Sequence, residues 1–423
     1  MYYKIFTLGC KVNTYESDAI RELLKREDYL ECGSRIPDIV VINTCVVTGV
    51  AAKKSRQHIH KFRTAYPDAV LAVMGCFSQQ EGHHLLESCD VDVVVGTSNR
   101  HRLVEYIKEY LKTRQKIVDI DGKPRTFVYE EIAPLFQPYN SRAFVKIQDG
   151  CDNFCSYCII PYIRGRSRSR NPEHIISEVQ CLVANGYREI VITGIHTGGY
   201  GRDLGDYSFS RLIGDIIQQV PNLFRLRISS LEATEIDDSF IELLGKHANI
   251  ADHLHIPLQS GSQTVLKRMN RRYEIADYLS TIEKIRRVRP NIALTTDIIV
   301  GFPNESEDEF DETVALAQKI NFAELHVFPF SKREGTKAAS LPDQIDEATK
   351  KKRVHSLLRL SDKLNRDYRD RFIGKQLDIL VEDYDESTKL YRGHSSNYIE
   401  IHLASEKDIR GQAVNVIFQE SMN

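Results

Sequence analysis

Short apolar runs alternate with amphipathic segments through the first 120 residues, and this alternation restricts the fold more than any other feature. Strands are predicted at YKIFTLG, DIVVINT, AVLAVMG and VDVVVG, and each is followed by a helical pattern such as YESDAIRELLKRE. Continuous apolar runs between amphipathic helices are typical of strands that are buried on both faces. The sequence therefore predicts a doubly wound parallel sheet in an α/β protein.

The alternation resumes from residue 143 and predicts a second α/β region. Six strand candidates, AFVKIQ, EIVITG, LRISS, HLHIPL, ALTTDIIVG and ELHVFPF, are separated by helical patterns. Six units are fewer than the eight of a complete barrel, so they predict a partial (βα)6 barrel, with an open sheet as the alternative.

Two other stretches mark the domain limits. Residues 121–142 contain three prolines and few periodic apolar positions, which indicates a linker. A long basic helix is predicted over 344–373, and the short strand runs after it are typical of a small β-barrel or sandwich. We predict an N-terminal domain at 1–120, a linker at 121–142, a barrel domain at 143–370 and an all-β domain at 371–423.

Composition limits the class of protein. The chain has a formal net charge of -2, so any nucleic-acid binding must use local basic patches. The start, MYYKIFTLGC, does not have the pattern of a signal peptide, and no apolar run approaches the roughly 20 residues of a membrane span. We expect a cytoplasmic protein, in which cysteines are ligands, catalysts or core residues more often than disulfides.

Three cysteines follow three predicted strands in matching contexts. Cys10, Cys45 and Cys76 stand in TLGC, INTC and VMGC, each between a strand and a helix. The carboxyl ends of parallel strands meet at one edge of an open sheet, where ligands bind. Thiolates select iron–sulfur clusters, zinc or Cu(I), so a metal or cluster site is predicted at this edge.

Three further cysteines form a compact C-x3-C-x2-C motif. Cys151, Cys155 and Cys158 stand in DGCDNFCSYCIIPYIRGRSRSR, just after the first strand of the second region. Structural zinc normally takes four protein ligands, and a second C-x2-C is missing. A 4Fe–4S cluster with three thiolates would leave one iron open to a substrate or cofactor. The remaining cysteines, Cys32, Cys89 and Cys181, are expected to be ordinary thiols.

The C-x3-C-x2-C motif resembles the signature of the radical S-adenosylmethionine superfamily, and the six βα units match its partial barrel. The whole chain resembles the methylthiotransferases through TLGCKVNTYESD, NTCVVTGVAAKKSRQ, TGIHTGGYG, HIPLQSGS and TTDIIVGFPNE. GCKVN and the VVT…KSRQ helix look most like the branch that acts on N6-threonylcarbamoyladenosine in tRNA. One departure is Asn304, where the family commonly has Gly; Asn tolerates a left-handed conformation better than most residues.

The resemblance implies two 4Fe–4S clusters, one on each cysteine triad, with S-adenosylmethionine bound at the open iron of the second. It implies transfer of a methylthio group to carbon 2 of the adenosine next to the anticodon. By the same resemblance, strand-end residues would line the S-adenosylmethionine site: Thr193, Gly194, His196, Ser230, Glu232, Gln259 and Asp297. Some of these residues could equally cap helices or close turns.

Basic residues beside the two triads are predicted to contact tRNA. One group lies after Cys45 and the other alternates after Cys158, which would place it on one side of an extended segment suited to phosphates. The predicted contacts are Lys53, Lys54, Arg56, Arg164, Arg166, Arg168 and Arg170. The C-terminal domain resembles the TRAM fold, an RNA-binding β-barrel.

Two alternative functions remain open from the sequence. One is the same chemistry on isopentenyladenosine or on a ribosomal protein, and the other is a metal-stabilised RNA-binding protein without catalysis. An electron donor such as flavodoxin or ferredoxin is expected as a partner. The sulfur donor is left open.

Overall fold

The computed structural model describes residues 1–121, 128–132 and 141–419. Packing divides the chain into two compact units. Unit 1 comprises Met1–Gln137, Lys146–Asn171 and Ser331–Thr336, and unit 2 comprises Pro138–Val145, Pro172–Phe330 and Lys337–Asn423. The linker predicted at 121–142 lies largely outside the described residues, together with its prolines Pro124, Pro134 and Pro138. The predicted domain boundaries stay predictions, because the units follow packing and divide the chain differently.

A six-stranded, all-parallel sheet forms the centre of unit 1, with the order β2-β1-β3-β4-β5-β6. Its strands are β1 (Tyr2–Thr7), β2 (Leu30–Glu31), β3 (Ile39–Thr44), β4 (Val70–Gly75), β5 (Val93–Val95) and β6 (Ile117–Asp119). Its helices are α1 (Lys11–Arg26), α2 (Gly49–Ala65), α3 (Cys76–Glu81), α4 (His84–Ser88) and α5 (Leu103–Thr113), the last preceded by a 3-10 turn at Arg100–Arg102.

Helices cover both faces of this sheet, as the continuous apolar runs predicted. On β3, Val40 and Ile42 belong to the core beneath α2, α3 and α4, while Ile39 and Val41 belong to the core beneath α1 and α5. All four side chains are fully buried. Both faces of a strand must then be apolar, which is why alternation is absent from the sequence of β3. The predicted doubly wound parallel sheet is confirmed.

Unit 1 also contains the segment that carries the second cysteine motif. The strand β7 (Arg142–Asp149) begins in unit 2 and ends in unit 1, and it is followed by α6 (Ile160–Arg164) and β8 (Arg168–Ser169). β8 returns antiparallel to the end of β7, with Asp149 opposite Arg168. Both cysteine triads therefore lie within unit 1.

Parallel strands in consecutive order form the α/β part of unit 2. Its strands are β9 (Glu189–Gly194), β10 (Arg225–Ile228), β11 (His253–His255), β12 (Ala293–Val300) and β13 (Glu324–Pro329). Each is joined to the next by parallel pairing or by a bridge, such as Leu226 to Ile250 before β11. β7, whose first residues belong to this unit, stands beside β9. The six strands agree with the predicted partial barrel.

Helices alternate with these strands along the chain, as the sequence predicted. They are α7 (Pro172–Ala184), α8 (Phe209–Gln219), α9 (Asp238–Lys246), α10 (Gln263–Arg268), α11 (Ile275–Val288), α12 (Glu307–Ile320) and α13 (Glu347–Asp370). Short 3-10 turns lie at Thr197–Gly199, Ala233–Glu235 and Lys337–Ser340.

The chain continues into an antiparallel sheet of order β16-β15-β14-β17. Its strands are β14 (Gln376–Asp385), β15 (Leu390–Ser395), β16 (Glu400–Leu403) and β17 (Ala413–Ile417). The core of this sheet packs Ile379, Ile401 and Phe418 against Tyr368 from α13. The predicted small all-β region is confirmed.

A buried carboxylate links the barrel strands of unit 2 to this sheet. Glu189, at the start of β9, accepts hydrogen bonds from Arg225 at 2.9 Å and from Arg227 at 2.8 Å. The same two guanidinium groups donate to main-chain carbonyls of the antiparallel sheet, at His394 and Ser395. Burial alone would raise the pKa of Glu189, but the two arginines lower it to about 2.

Substitution of Glu189 by Gln should destabilise the protein in a pH-dependent way. The folded-state pKa lies below the unfolded value, so the stabilisation is fully present above about pH 4.5 and is lost as the pH falls towards 2. A shift of this size corresponds to about 3 kcal/mol. Urea unfolding followed by circular dichroism, at neutral pH and at about pH 3.5, should show a smaller difference from the parent protein at the lower pH.

Glu242→Gln provides the control for this experiment. Glu242 lies exposed on α9 and pairs with Lys246. Exposed pairs contribute about 0–1 kcal/mol, so little change is expected at either pH. An equal loss of stability at both pH values in Glu189→Gln would contradict the assigned ionisation.

Candidate cluster and cofactor sites

The first cysteine triad lies at the carboxyl edge of the sheet in unit 1. Cys45 and Cys76 directly follow β3 and β4, and Cys10 lies three residues after the end of β1; the three strands are neighbours in the sheet. The strand order reverses between β1 and β3, and the connecting helices change from one face of the sheet to the other there. Cys10 and Cys45 therefore flank the topological switch point of the sheet. The structure therefore brings these three residues together, as the sequence predicted.

Two glycines allow the strand ends to approach closely. Gly9 and Gly75 precede Cys10 and Cys76, and both have φ 103°. A methyl group at Gly9 would lie 2.9 Å from the Cys45 Cβ, and one at Gly75 would lie 2.7 Å from the Thr44 carbonyl oxygen. Only glycine fits both the backbone angle and the space, so the residue before each of these cysteines is part of the site.

Buried polar side chains hold the same loops in place. Asn13 donates from Nδ2 to the carbonyl oxygens of Leu8 at 2.7 Å and Thr44 at 3.0 Å. Ser55 accepts from the Cys45 main-chain N–H at 3.1 Å and donates to its carbonyl oxygen at 2.9 Å. Sequence reasoning did not single out Asn13 or Ser55. The signal for Asn13 was its place three residues after Cys10 on α1.

Burial and charge define the chemistry of these thiols. Cys45 and Cys76 are buried, whereas Cys10 is exposed. Burial raises the pKa of Cys45 and raises that of Cys76 to about 12, while the nearby Arg164 charge acts in the opposite direction. The Arg164 Nε–H donates to the Cys76 sulfur at 3.2 Å. Thiols in this setting ionise when positive charge is added, which is what a bound metal supplies.

The donor set consists of three thiols, the side chains that iron–sulfur clusters take as ligands. The thiolates of a 4Fe–4S cluster each bind a different iron, so they lie farther apart than the ligands of one ion. Three converging sulfurs, two of them buried, therefore fit the predicted cluster.

The second triad lies in the loop between β7 and α6. Cys151, Cys155 and Cys158 are all partly buried. The Cys151 main-chain N–H donates to Gly165 at 3.1 Å, and the Cys158 N–H donates to the Cys155 carbonyl at 2.9 Å. These bonds wind the motif into a compact loop that presents three thiols from eight residues.

Three of the four arginines that follow this motif contradict the predicted contact with RNA phosphates. Arg164, Arg168 and Arg170 are buried, with exposed fractions of 0–2%. The first two pair with Asp149, and Arg170 pairs with Glu131. These three side chains face acidic groups of unit 1, and Arg164 lies on a helix instead of in an extended segment. This corrects the prediction for the three residues.

The other predicted RNA residues are exposed. Lys53, Lys54 and Arg56 lie on the outer face of α2, and Arg166 lies on the surface after α6. The Arg166 guanidinium is 5.2 Å above the Phe154 ring, which meets the Tyr162 ring edge-on at 5.7 Å. Tyr162 is 51% exposed.

The residues predicted for S-adenosylmethionine lie at the carboxyl ends of neighbouring strands in unit 2. Thr193 and Gly194 end β9, and His196 follows them; Ser230 and Glu232 follow β10, Gln259 lies just after β11, and Asp297 lies on β12. Several have partners that sequence reasoning missed: His196 pairs with Glu235 at 2.6 Å, Glu232 with Arg271, and Asp297 with His255 at 3.3 Å. Glu232 also caps the following 3-10 turn, which agrees with the capping alternative for that residue.

Gln259 and Asn304 are among the non-glycine residues of this unit that have left-handed backbone conformations. Gln259 has φ 63°; its main-chain N–H donates to the Asp297 carbonyl at 2.8 Å, and its carbonyl accepts from the Ile299 N–H at 2.9 Å, both on β12. Such a conformation costs about 1–3 kcal/mol and is found preferentially at functional sites. Asn304 has φ 60°, which is the left-handed conformation. Asparagine tolerates this conformation, so it can stand where the family commonly has glycine.

Comparisons with known proteins agree with this geometry. Residues 145–317 match the Radical SAM superfamily, and residues 2–96 match the uncharacterized protein family UPF0004. Among solved structures, the radical S-adenosylmethionine methyltransferase TsrM from Kitasatospora setae superposes with a TM-score of 0.60 at 15% identity, over 80% of this chain and 77% of that one. This likeness concerns the fold. Residues 145–317 therefore belong to the Radical SAM superfamily.

Curated relatives give the family. The chain is 44% identical to the threonylcarbamoyladenosine tRNA methylthiotransferase MtaB of Bacillus subtilis, over 97% of this chain and 92% of that protein. It is 36% identical to MtaB of Thermotoga maritima, over 95% and 90% of the two chains. It is 34% identical to the tRNA-2-methylthio-N(6)-dimethylallyladenosine synthase of Acetivibrio thermocellus, over 98% and 88%.

The chain belongs to the family of radical S-adenosylmethionine tRNA methylthiotransferases, as its motifs predicted. Enzymes of this family use S-adenosylmethionine and carry two 4Fe–4S clusters. In the part of the chain that the structure describes, no helix is long and apolar enough to cross a membrane.

Proposed function

We propose that this protein transfers a methylthio group to carbon 2 of N6-threonylcarbamoyladenosine next to the anticodon of tRNA. The observation that carries the proposal is the presence of two three-cysteine sites within unit 1. A generic radical enzyme needs one such site, whereas insertion of sulfur needs a second. Identities of 44% and 36% to relatives named for this nucleoside, against 34% for the dimethylallyladenosine relative, favour this substrate.

In this proposal each triad holds one 4Fe–4S cluster. Cys10, Cys45 and Cys76 would hold the first, and the C-x3-C-x2-C loop would hold the second. When bound, the clusters supply one-electron reduction of S-adenosylmethionine and a soft binding point for the sulfur that is transferred. The residues of the chain orient these groups and shield them: Asn13 and Ser55 fix the loops of the first site, and the apolar side chains around Cys76 exclude water.

S-adenosylmethionine would be held by the strand ends of unit 2. The proposed contacts come from both main chain and side chains of residues that the strands place along one edge: Thr193, Gly194, His196, Ser230, Glu232, Gln259 and Asp297. The His196–Glu235 pair fixes the imidazole, and the strained Gln259 main chain fixes the direction of its side chain. The ring nitrogens of His196 can then donate to a carboxylate or accept from an amino group.

Separate substitution of the two triads should remove separate clusters. After anaerobic reconstitution, the parent protein should contain about eight iron atoms, as expected for two 4Fe–4S clusters. Cys10/Cys45/Cys76→Ala and Cys151/Cys155/Cys158→Ala should each retain about half, because each triad supplies the thiolates of one cluster. The control, Cys32/Cys89/Cys181→Ala, should retain all the iron. Zinc in place of iron, or loss of both clusters in every variant, would contradict the assignment.

Nucleoside analysis tests the substrate. Cells that lack this protein and any redundant enzyme should accumulate N6-threonylcarbamoyladenosine and lose its 2-methylthio derivative, as measured by liquid chromatography and mass spectrometry of digested tRNA. The parent gene should restore the derivative, whereas neither triad variant should. Loss of methylthiolated isopentenyladenosine instead would favour the alternative substrate. Unchanged tRNA nucleosides would favour the ribosomal-protein alternative. The non-catalytic alternative has no support, because the chain belongs to a family of enzymes.

The surface that binds tRNA is proposed to include α2 and the loop of the second triad. Lys53, Lys54 and Arg56 supply positive charge for phosphates, and Arg166 with Phe154 and Tyr162 supplies a stacking surface. Unpaired bases stack on aromatic and guanidinium planes, which suits an anticodon loop. The C-terminal sheet, proposed as a TRAM-like domain, would add contacts beyond these.

Lys53/Lys54/Arg56→Ala should weaken tRNA binding and reduce its salt dependence. Loss of three phosphate contacts should lower the slope of log K against log salt concentration by about 2–3. Filter binding or fluorescence anisotropy over a range of salt measures both effects. Arg211/Lys246/Lys284→Ala removes the same charge from exposed positions of unit 2 and serves as the control. An equal change of slope in the control would contradict the proposed surface.

Cellular context completes the proposal. The substrate tRNA and low-potential donors such as flavodoxin or ferredoxin occur in the cytoplasm, so we place the protein there and expect one of these donors to reduce it. The chemistry of the sulfur donor is left open.

A further inference from the structure

One arginine connects the segments that carry the two cysteine triads. Arg164 ends α6, six residues after Cys158, and its side chain is fully buried. Its Nε–H donates to the Cys76 sulfur at 3.2 Å. Arg164 was predicted to bind RNA phosphate, but its side chain contacts Cys76, a proposed cluster ligand, and can act on a cluster instead.

Every nitrogen of this guanidinium has a partner inside unit 1. One terminal nitrogen donates to Glu16 at 2.8 Å and to Asp149 at 3.1 Å, and the other donates to Asn13 at 3.1 Å and to Glu16 at 3.1 Å. Two carboxylates and one amide therefore fix the plane of the group. Because the plane is fixed, the Nε–H is aimed at Cys76 without rearrangement.

The surrounding charges leave positive potential on the side of the cysteine. Glu16 and Asp149 are shared with three other buried cations: Arg100, Lys146 and Arg168. Glu130 is the third carboxylate of the group, paired with Arg100. Arg164 is the member of this group that contacts sulfur, so it places a positive charge beside Cys76. A thiolate-bound anionic cluster would balance this charge.

We propose that Arg164 is a positioning residue that raises the reduction potential of the cluster at the first triad. The inference rests on the proposed function, because it requires a cluster on Cys76. Uptake of one electron adds negative charge to a cluster, and an N–H···S hydrogen bond from a cation stabilises the reduced form. The electron comes from the protein donor in cells and from dithionite in the experiment.

The test isolates the first cluster and compares two arginines of the same network. Cys151/Cys155/Cys158→Ala serves as the parent, so that only the first cluster is present. Arg164→Gln removes the charge and the contact with sulfur. Arg100→Gln removes an equally buried charge from the same partners, Glu16 and Asp149, without a contact to sulfur. Arg164→Lys retains the charge but lacks the fork of donors.

Midpoint potentials are measured by redox titration followed by electron paramagnetic resonance. Arg164→Gln should shift the potential to a more negative value than the parent, and by more than Arg100→Gln does. Arg164→Lys should give a smaller negative shift. If Arg164→Gln fails to fold or to take up iron, as judged by circular dichroism and iron content, the comparison of Arg164→Lys with the parent decides.

Three results would overturn the proposal: an unchanged potential in Arg164→Gln, an equal or larger shift in Arg100→Gln, or an unchanged potential in Arg164→Lys where that variant decides. Absence of a cluster from Cys151/Cys155/Cys158→Ala, the parent in this experiment, is a different failure. It would contradict the proposed function itself, before any arginine variant is compared.

Discussion

The parallel sheet of unit 1 determines where its chemistry can occur. In a parallel sheet every strand ends at the same edge, so a residue placed directly after each of several strands must converge with the others. Cys45 and Cys76 occupy that position, and Cys10 follows the adjacent strand β1 after two further residues. The register of these strands is fixed by two buried faces, since a slip by one residue would exchange the two apolar cores. Hydrophobic packing therefore positions the thiols, although none of the apolar residues need touch a ligand.

Each compact unit also contains a buried carboxylate shared by at least two arginines. In unit 1 it is Glu16, bound by Arg100 and Arg164; in unit 2 it is Glu189, bound by Arg225 and Arg227. Burying such charges is expensive, and the attraction between them compensates only with good geometry and complete hydrogen bonding. Relative to apolar residues of the same size such pairs add little net stability, although removal of one partner is costly because the other charge stays buried. The ion pairs fix the relative positions of segments instead. In each unit the shared carboxylate, Glu16 or Glu189, holds together segments that lie far apart in the sequence.

Much of the fold followed from local patterns. The apolar runs predicted the strands, the amphipathic segments predicted the helices, and the strand ends predicted the first triad. The partners of those residues were not predictable in the same way. Glu16 lies 148 residues from Arg164, and Glu235 lies after a different strand from His196. Periodicity reports which face of an element is buried, but it does not report which polar groups meet across tertiary contacts.

The arginines after the second triad show where the sequence interpretation went wrong. A basic run in a nearly neutral chain indicates an RNA surface when charge is judged by composition alone, because solvent and phosphate are the usual partners of arginine. The alternative partner was present in the same sequence. Two sets of thiolates carry negative charge once they bind iron, and buried negative charge requires buried cations close to it. Arg164 meets both kinds of partner, the Cys76 sulfur and the carboxylates of Glu16 and Asp149. Arg168 and Arg170 are internal because their partners are the acidic groups of Asp149 and Glu131, whereas Arg166 pairs with Asp152 at the surface.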